Sequence, residues 1–215
     1  MKKYGPLKYF LGIEVARSPK GLFLCQHKYT LDILSETGML GAKPTTFHME
    51  QYHKLSDDSG ALFSDPSQYR QLIGRLLYLV ITRPEISYSI HILSQFMQET
   101  CQRHWEATLR MLWFLKSCPG QGIFLPAHNT VELKVYCDSD WGGCSMSRRS
   151  VTGYLVKLGH VPISWKTKKQ ATVSLSSAKA EYRAMDNATR EVIWLPNLLW
   201  FLGVHVATTK MFCDN

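Results

Sequence analysis

The chain has 215 residues, 45% hydrophobic and 20% charged, a length and balance that suit one or two folded domains with a sizeable core. Its net charge of +8 is spread, with 14 Lys and Arg against 10 Asp and Glu in residues 1–126 and 11 against 7 in residues 127–215. Both halves therefore favour a polyanionic partner, and there is no polybasic tail. The six cysteines form no C-x-x-C pair, which argues against a zinc site and for small core residues in a reducing compartment. No signal peptide opens the chain, and the most apolar stretch, residues 192–204, is broken by Pro196 and too short to span a membrane. The expectation is a soluble, intracellular protein that is not secreted.

In chain order, 8–15 and 21–26 read as strands of a hairpin about Arg17–Gly21. A short helix is expected over 29–37, closed by Gly38, followed by a long polar loop over 41–64. Asp65-Pro66 predicts a helix start, with Asp65 as N-cap. That helix carries Tyr69, Leu72, Ile73, Leu76, Leu77 and Val80 on its apolar side. Arg70 and Arg75 lie on the other, open to solvent or to phosphate. Arg83-Pro84 interrupts it, and further helices are expected over 86–97 and 102–117. Residues 127–130 mark a boundary between domains of 1–126 and 127–215.

Residues 131–140, VELKVYCDSD, alternate as a strand that ends in acid, and the last residues, KMFCDN, match that ending. An aromatic stands two residues before an aspartate with a cysteine between, so aromatic and aspartate share a face. Neighbouring parallel strands of this kind bring Asp138 and Asp214 to one carboxyl edge, with Asp140 on the same face as Asp138. Strands over 151–158 and 161–165 turn about Gly159-His160, and Lys166, Lys168 and Lys169 follow in a basic loop. Ala178, Glu181, Met185, Ala188, Val192, Leu195 and Leu199 then fall at steps of 3 and 4, a buried stripe with a carboxylate inside it. Pro196 is expected to kink or restart this helix and Gly203 to close it. A buried carboxylate needs a partner or a cation, and three oxygen donors converging suit Mg²⁺. The plainer alternative makes the aspartates turn or cap residues and Glu181 a dipole partner. Arg148, Arg149 and Lys166–Lys169 are candidates for phosphate contact or for a solvated surface.

YCDSDWGGCSMSRRSVTGYLVKLG, ISWKTKKQATVSLSSAKAEYRA and FCDN resemble the ribonuclease H region of copia-type retrotransposon Pol polyproteins. LKYFLGIEVARSPKGLFLCQHKYTLDILSETGML, YRQLIGRLLYLVITRPEISYSI and HWEATLRMLWFLK resemble the end of the reverse transcriptase palm, the thumb and the connection. The resemblance implies an α/β fold, α+β overall. A helical thumb and connection with an N-terminal hairpin would precede a truncated ribonuclease H-like mixed sheet with a long helix. It implies two-metal hydrolysis, by Mg²⁺ or Mn²⁺, of the RNA strand of an RNA–DNA hybrid. Asp138, Glu181 and Asp214 are then metal ligands and Asp140 a non-catalytic neighbour. Residues 11–26 would be the primer grip, with the helix over 69–80 along the duplex. Implied partners are the hybrid and the other Pol segments, in cytoplasmic virus-like particles or the nucleus.

The sequence also departs from the family. No Tyr-x-Asp-Asp polymerase turn is present, Lys179 stands where an acid is usual, and a fourth acidic ligand would lie beyond Asn215. The expectation is a fragment that keeps site residues without activity by itself. The alternative is a non-catalytic nucleic-acid-binding piece or a relic.

Overall fold

The structure, a computed structural model, describes Gly5 and residues 7–50, 55–57 and 60–213. It divides into two compact units, Met1–Ala127 and His128–Asn215. Among the described residues it is a mixed α/β protein with two sheets and five α-helices.

The first unit opens with β1 (Tyr9–Phe10), β2 (Ile13–Ser18) and β3 (Gly21–Cys25), all antiparallel. The expected hairpin about 17–21 is there, but the first run is split at Leu11 and Gly12, both at positive φ. Helices α1 (His27–Glu36), α2 (Pro66–Leu79), α3 (Ser87–Ser94) and α4 (Gln102–Ser117) follow. Asp65 caps α2 as its sequence dictates, with Oδ1 accepting from the Ser67 and Gln68 N–H groups at 3.1 and 2.9 Å. Tyr69, Leu72, Ile73 and Leu76 of α2 are buried, while Leu77 is exposed and Leu79 takes its place in the core. α3 is shorter than expected because Gln95 and Phe96 bond three residues back, to Ile92 and Leu93, tightening its last turn.

The chain then returns as β4 (Gly122–Pro126), which pairs with β3 and completes a four-stranded sheet in the order β1-β2-β3-β4. The expected lone hairpin is thus half of a sheet, whose last strand arrives from far along the chain. Between α2 and α3, the buried Arg83 donates to the Cys118 carbonyl at 3.0 Å, pairs with Glu85 and lies over the Phe114 ring.

The second unit comprises β5 (Leu133–Asp140), β6 (Val151–Leu158), β7 (Val161–Lys169), α5 (Ser177–Phe201) and β8 (Thr209–Cys213). The sheet order is β7-β6-β5-β8, mixed because β8 runs parallel to β5 while the other pairs are antiparallel. One face carries Leu133, Val135, Cys137 and Val156, packed against Ala188 and Leu195 of α5 with Met185, Val192 and Leu199 alongside. The 3.6-residue stripe is therefore what docks the helix. Its first member, Ala178, is exposed, and Ala180 and Ala184 are buried instead.

Two expectations are overturned here. Lys166, Lys168 and Lys169 lie within β7, not in a loop, because pairing with β6 continues to Val151 opposite Lys169. Nor does the helix restart at Pro196, since α5 runs on to Phe201 with apolar contacts to the sheet on both sides of it. Ser176 caps the start of α5, its hydroxyl accepting from Lys179 N–H at 3.2 Å, and Gly203, at φ 79°, closes its end. No described helix is long and apolar enough to cross a membrane.

Candidate functional site

Alternation along β5 decides where its acids go. Leu133, Val135, Cys137 and Ser139 are buried, whereas Tyr136, Asp138 and Asp140 are exposed on the face away from α5. β8 matches it in register, with Tyr136 opposite Phe212 and Cys137 opposite Cys213. The two rings stack at 5.1 Å and the two free thiols lie 2.9 Å apart. The carboxyl ends of β5 and β8 are thus side by side, as the matching endings require. Asp214, the next residue, lies outside the described residues.

Glu181 is half-buried near the start of α5, on the helix that covers the inner face. Asp138 and Glu181 therefore belong to opposite sides of the sheet, and Cys137 lies in the field of both. Burial, then the Cys213 thiol, then the Glu181 and Asp138 charges push the Cys137 thiol up to about 12. A thiol raised that far stays protonated at neutral pH. Asp138 Oδ1 accepts from the Ser139 N–H at 2.7 Å. Asp140 has a local task instead. Its carboxylate lies over Gly143, where a Cβ would sit 2.0 Å from Oδ2, and its carbonyl accepts from Gly143 N–H at 3.2 Å. Among the described residues, no three His, Cys, Asp or Glu side chains are grouped to hold a metal ion.

Gln170, 7% exposed, ties these elements together. Its Nε2 shares two N–H protons among Ser139 Oγ (3.2 Å), Thr152 Oγ1 (3.0 Å) and the Ala180 carbonyl (3.0 Å), and its Oε1 accepts from Ser174 Oγ (2.9 Å). It bridges the residue after Asp138 to the residue before Glu181.

Of the basic residues singled out in the sequence, Arg149, Lys168 and Lys169 line one cleft of about 300 Å³, joined by Arg183 and Arg190 of α5. Arg183 and Arg190 escaped the sequence reading, although with Asn187 they recur at steps of 4 and 3 along one side of α5. Lys166 lies outside the cleft lining, as does Arg148, which takes a left-handed conformation (φ 53°) in the connection after β5. In the first unit, Arg75 pairs with Glu36 and lies 5.1 Å above the Tyr29 ring centroid. Arg70 donates to Ser67 Oγ at 3.0 Å.

Comparison with known proteins finds relatives of this sequence. The retrovirus-related Pol polyprotein from transposon RE2 of Arabidopsis thaliana is 45% identical over 216 residues, covering 100% of this chain and 15% of that polyprotein. The corresponding polyprotein from transposon TNT 1-94 of Nicotiana tabacum is 33% identical over 226 residues, covering 100% and 17%. An uncharacterized mitochondrial protein of Arabidopsis thaliana is 41% identical over 195 residues, covering 90% of this chain and 80% of that protein.

The chain belongs to the family of copia-type retrotransposon Pol polyproteins.

It corresponds to a portion of such a polyprotein, spanning about a sixth of the length of these Pol relatives. No protein-family profile matches this Pol segment. No solved structure matches it either.

Proposed function

We propose that the first unit of this Pol segment is the end of a reverse transcriptase, with thumb and connection, and that the second is a ribonuclease H region. On this reading the second unit supplies carboxylates for hydrolysis of the RNA strand of an RNA–DNA hybrid. The observation that carries the proposal is the parallel register of β5 and β8, running to Cys137 opposite Cys213. The family resemblance supplies Asp214 as the β8 counterpart of Asp138.

The donor set suits Mg²⁺, since carboxylates are hard oxygen ligands. Asp138, Glu181 and Asp214 would hold the metal. When bound, Mg²⁺ supplies an activated water and neutralises charge developing at the phosphate. The chain's own work is positional. β5 carries Asp138 to the carboxyl end of the sheet, α5 carries Glu181 on the covering layer, and Gln170 ties their neighbours Ser139 and Ala180 together.

A second reading, duplex binding without hydrolysis, has its own support in the excess of cations around the cleft. Cleavage of a labelled RNA–DNA hybrid separates the two, measured with Mg²⁺ for this chain and for a longer Pol segment containing it. Loss of the longer segment's cleavage to background in Asp138→Asn is expected. Cleavage unaffected by Asp138→Asn refutes the carboxylate assignment. No cleavage by either folded protein, with the hybrid bound, leaves the second reading.

A further inference from the structure

We propose that the cleft between the end of β7 and α5 is a backbone clamp, gripping consecutive phosphodiesters of a duplex without reading its bases. The inference rests on the reading above in taking nucleic acid as the partner, and adds a binding site apart from the carboxylates. Five cations line the cleft (Arg149, Lys168, Lys169, Arg183 and Arg190) against one carboxylate, Asp186, which Arg190 already pairs at 2.8 Å.

The cations divide by task. Arg183 Nη1 donates to the Thr172 carbonyl (3.1 Å), the Val173 carbonyl (3.4 Å) and Ser174 Oγ (3.0 Å), so it braces the wall of the cleft. Lys169 Nζ lies 3.6 Å from Cys144 Sγ in the connection between β5 and β6. The side chains of Arg149 and Lys168 make no hydrogen bond or ion pair among the described residues. Both residues stand exposed at the mouth. They are the charges available to a ligand.

Dimensions and chemistry select the ligand. Arg183 and Arg190 are seven residues apart on one helix, about 10 Å along its axis at 1.5 Å per residue. A wall of that length is longer than one free anion and runs past consecutive phosphates of one strand of a duplex. No aromatic side chain is among the residues lining the cleft, so it offers no surface on which a base would stack. Contacts of this kind position a duplex and carry no sequence information.

The test is the salt dependence of binding of a short fluorescent RNA–DNA hybrid, followed by anisotropy, for wild type, Arg149→Ala/Lys168→Ala and Arg149→Lys/Lys168→Arg. Each lost phosphate contact lowers the slope of log K against log salt by about 1. The alanine pair is expected to lose about 2 units of slope and the charge-conserving pair none, with hybrids of unrelated sequence bound alike. Wild-type binding with an unchanged slope in the alanine pair overturns the clamp and leaves the nucleic-acid reading standing. A tenfold preference between sequences, lost in the alanine pair, overturns the backbone-only character. Absence of hybrid binding by the folded wild type overturns both.

Discussion

Replacing Gln170 by alanine tests whether one buried amide holds the candidate site together. Gln170 makes four hydrogen bonds, to β5, β6, α5 and the loop before α5. Each is worth about 1 kcal/mol net, and the partners left behind are largely buried, so the loss exceeds that of an exposed amide. Three of those partners, Ser139, Thr152 and Ser174, belong to residues at most 7% exposed. The truncation also opens a void beneath the cleft. Together these give an expected destabilisation of about 3–5 kcal/mol, a large share of the 5–15 kcal/mol that keeps a typical domain folded. Urea unfolding followed by tryptophan fluorescence suits the measurement, since Trp141, Trp165, Trp194 and Trp200 all belong to the second unit. With a slope of about 2 kcal/mol per molar urea, the midpoint should fall by about 2 M. A loss below about 1 kcal/mol would refute the reasoning, because the four partners would then be satisfied without Gln170.

Three smaller perturbations probe other joints. Asp65→Ala removes the acceptor for two N–H groups at the start of α2 and should cost about 1 kcal/mol in chemical unfolding, and no change would show that the cap is idle. A double-mutant cycle on Tyr136→Ala and Phe212→Ala should give a coupling of about 0.5–1 kcal/mol, at the low end for stacked rings because both are partly exposed. Additive losses would mean that the stack contributes nothing. Glu132 is held below the usual carboxylate range by its bond to Lys210 of β8 at 2.7 Å, with Lys134 of β5 at 3.5 Å. Its folded pKa is lower than its unfolded one, so the stabilisation is complete above the usual carboxylate pKa and disappears as pH falls through the folded value. The Tm advantage of wild type over Glu132→Gln should therefore be full at neutral pH and begin to shrink only as pH falls below the usual carboxylate value of about 4. An advantage constant across that range would contradict it.

What the sequence made legible was whatever depends on local pattern. The period-two alternation of 131–140, repeated at the chain's end, correctly places β5 beside β8 with Tyr136 facing Phe212. Asp65-Pro66 marks the α2 start, and the expected bounds of α4 and β6 match the observed ones. What stayed hidden depends on partners distant in sequence. β4 has no assignment in the sequence until β3 pairs with it. Three lysines look like a solvated loop until β6 draws them into β7. Pro196 reads as a kink or a restart, yet α5 runs through it with sheet contacts on both sides. Gln170 and Arg83 carry no local mark of burial; their tasks exist only once several elements meet around them. Nor does a list of three acids reveal that Asp138 and Glu181 approach from opposite faces of one sheet.

The central claim is that the carboxylates at the β5 edge form a divalent-cation site. Mn²⁺ binding, followed by loss of the free-ion electron paramagnetic resonance signal and competed with Mg²⁺, tests it most directly. Wild type, Asp138→Asn, Glu181→Gln and the surface control Asp32→Asn should be compared, each shown to be folded. The account predicts Mg²⁺-competable binding that Asp138→Asn and Glu181→Gln each abolish and Asp32→Asn leaves intact. Binding that survives in both site variants, or no binding by folded wild type, would contradict it.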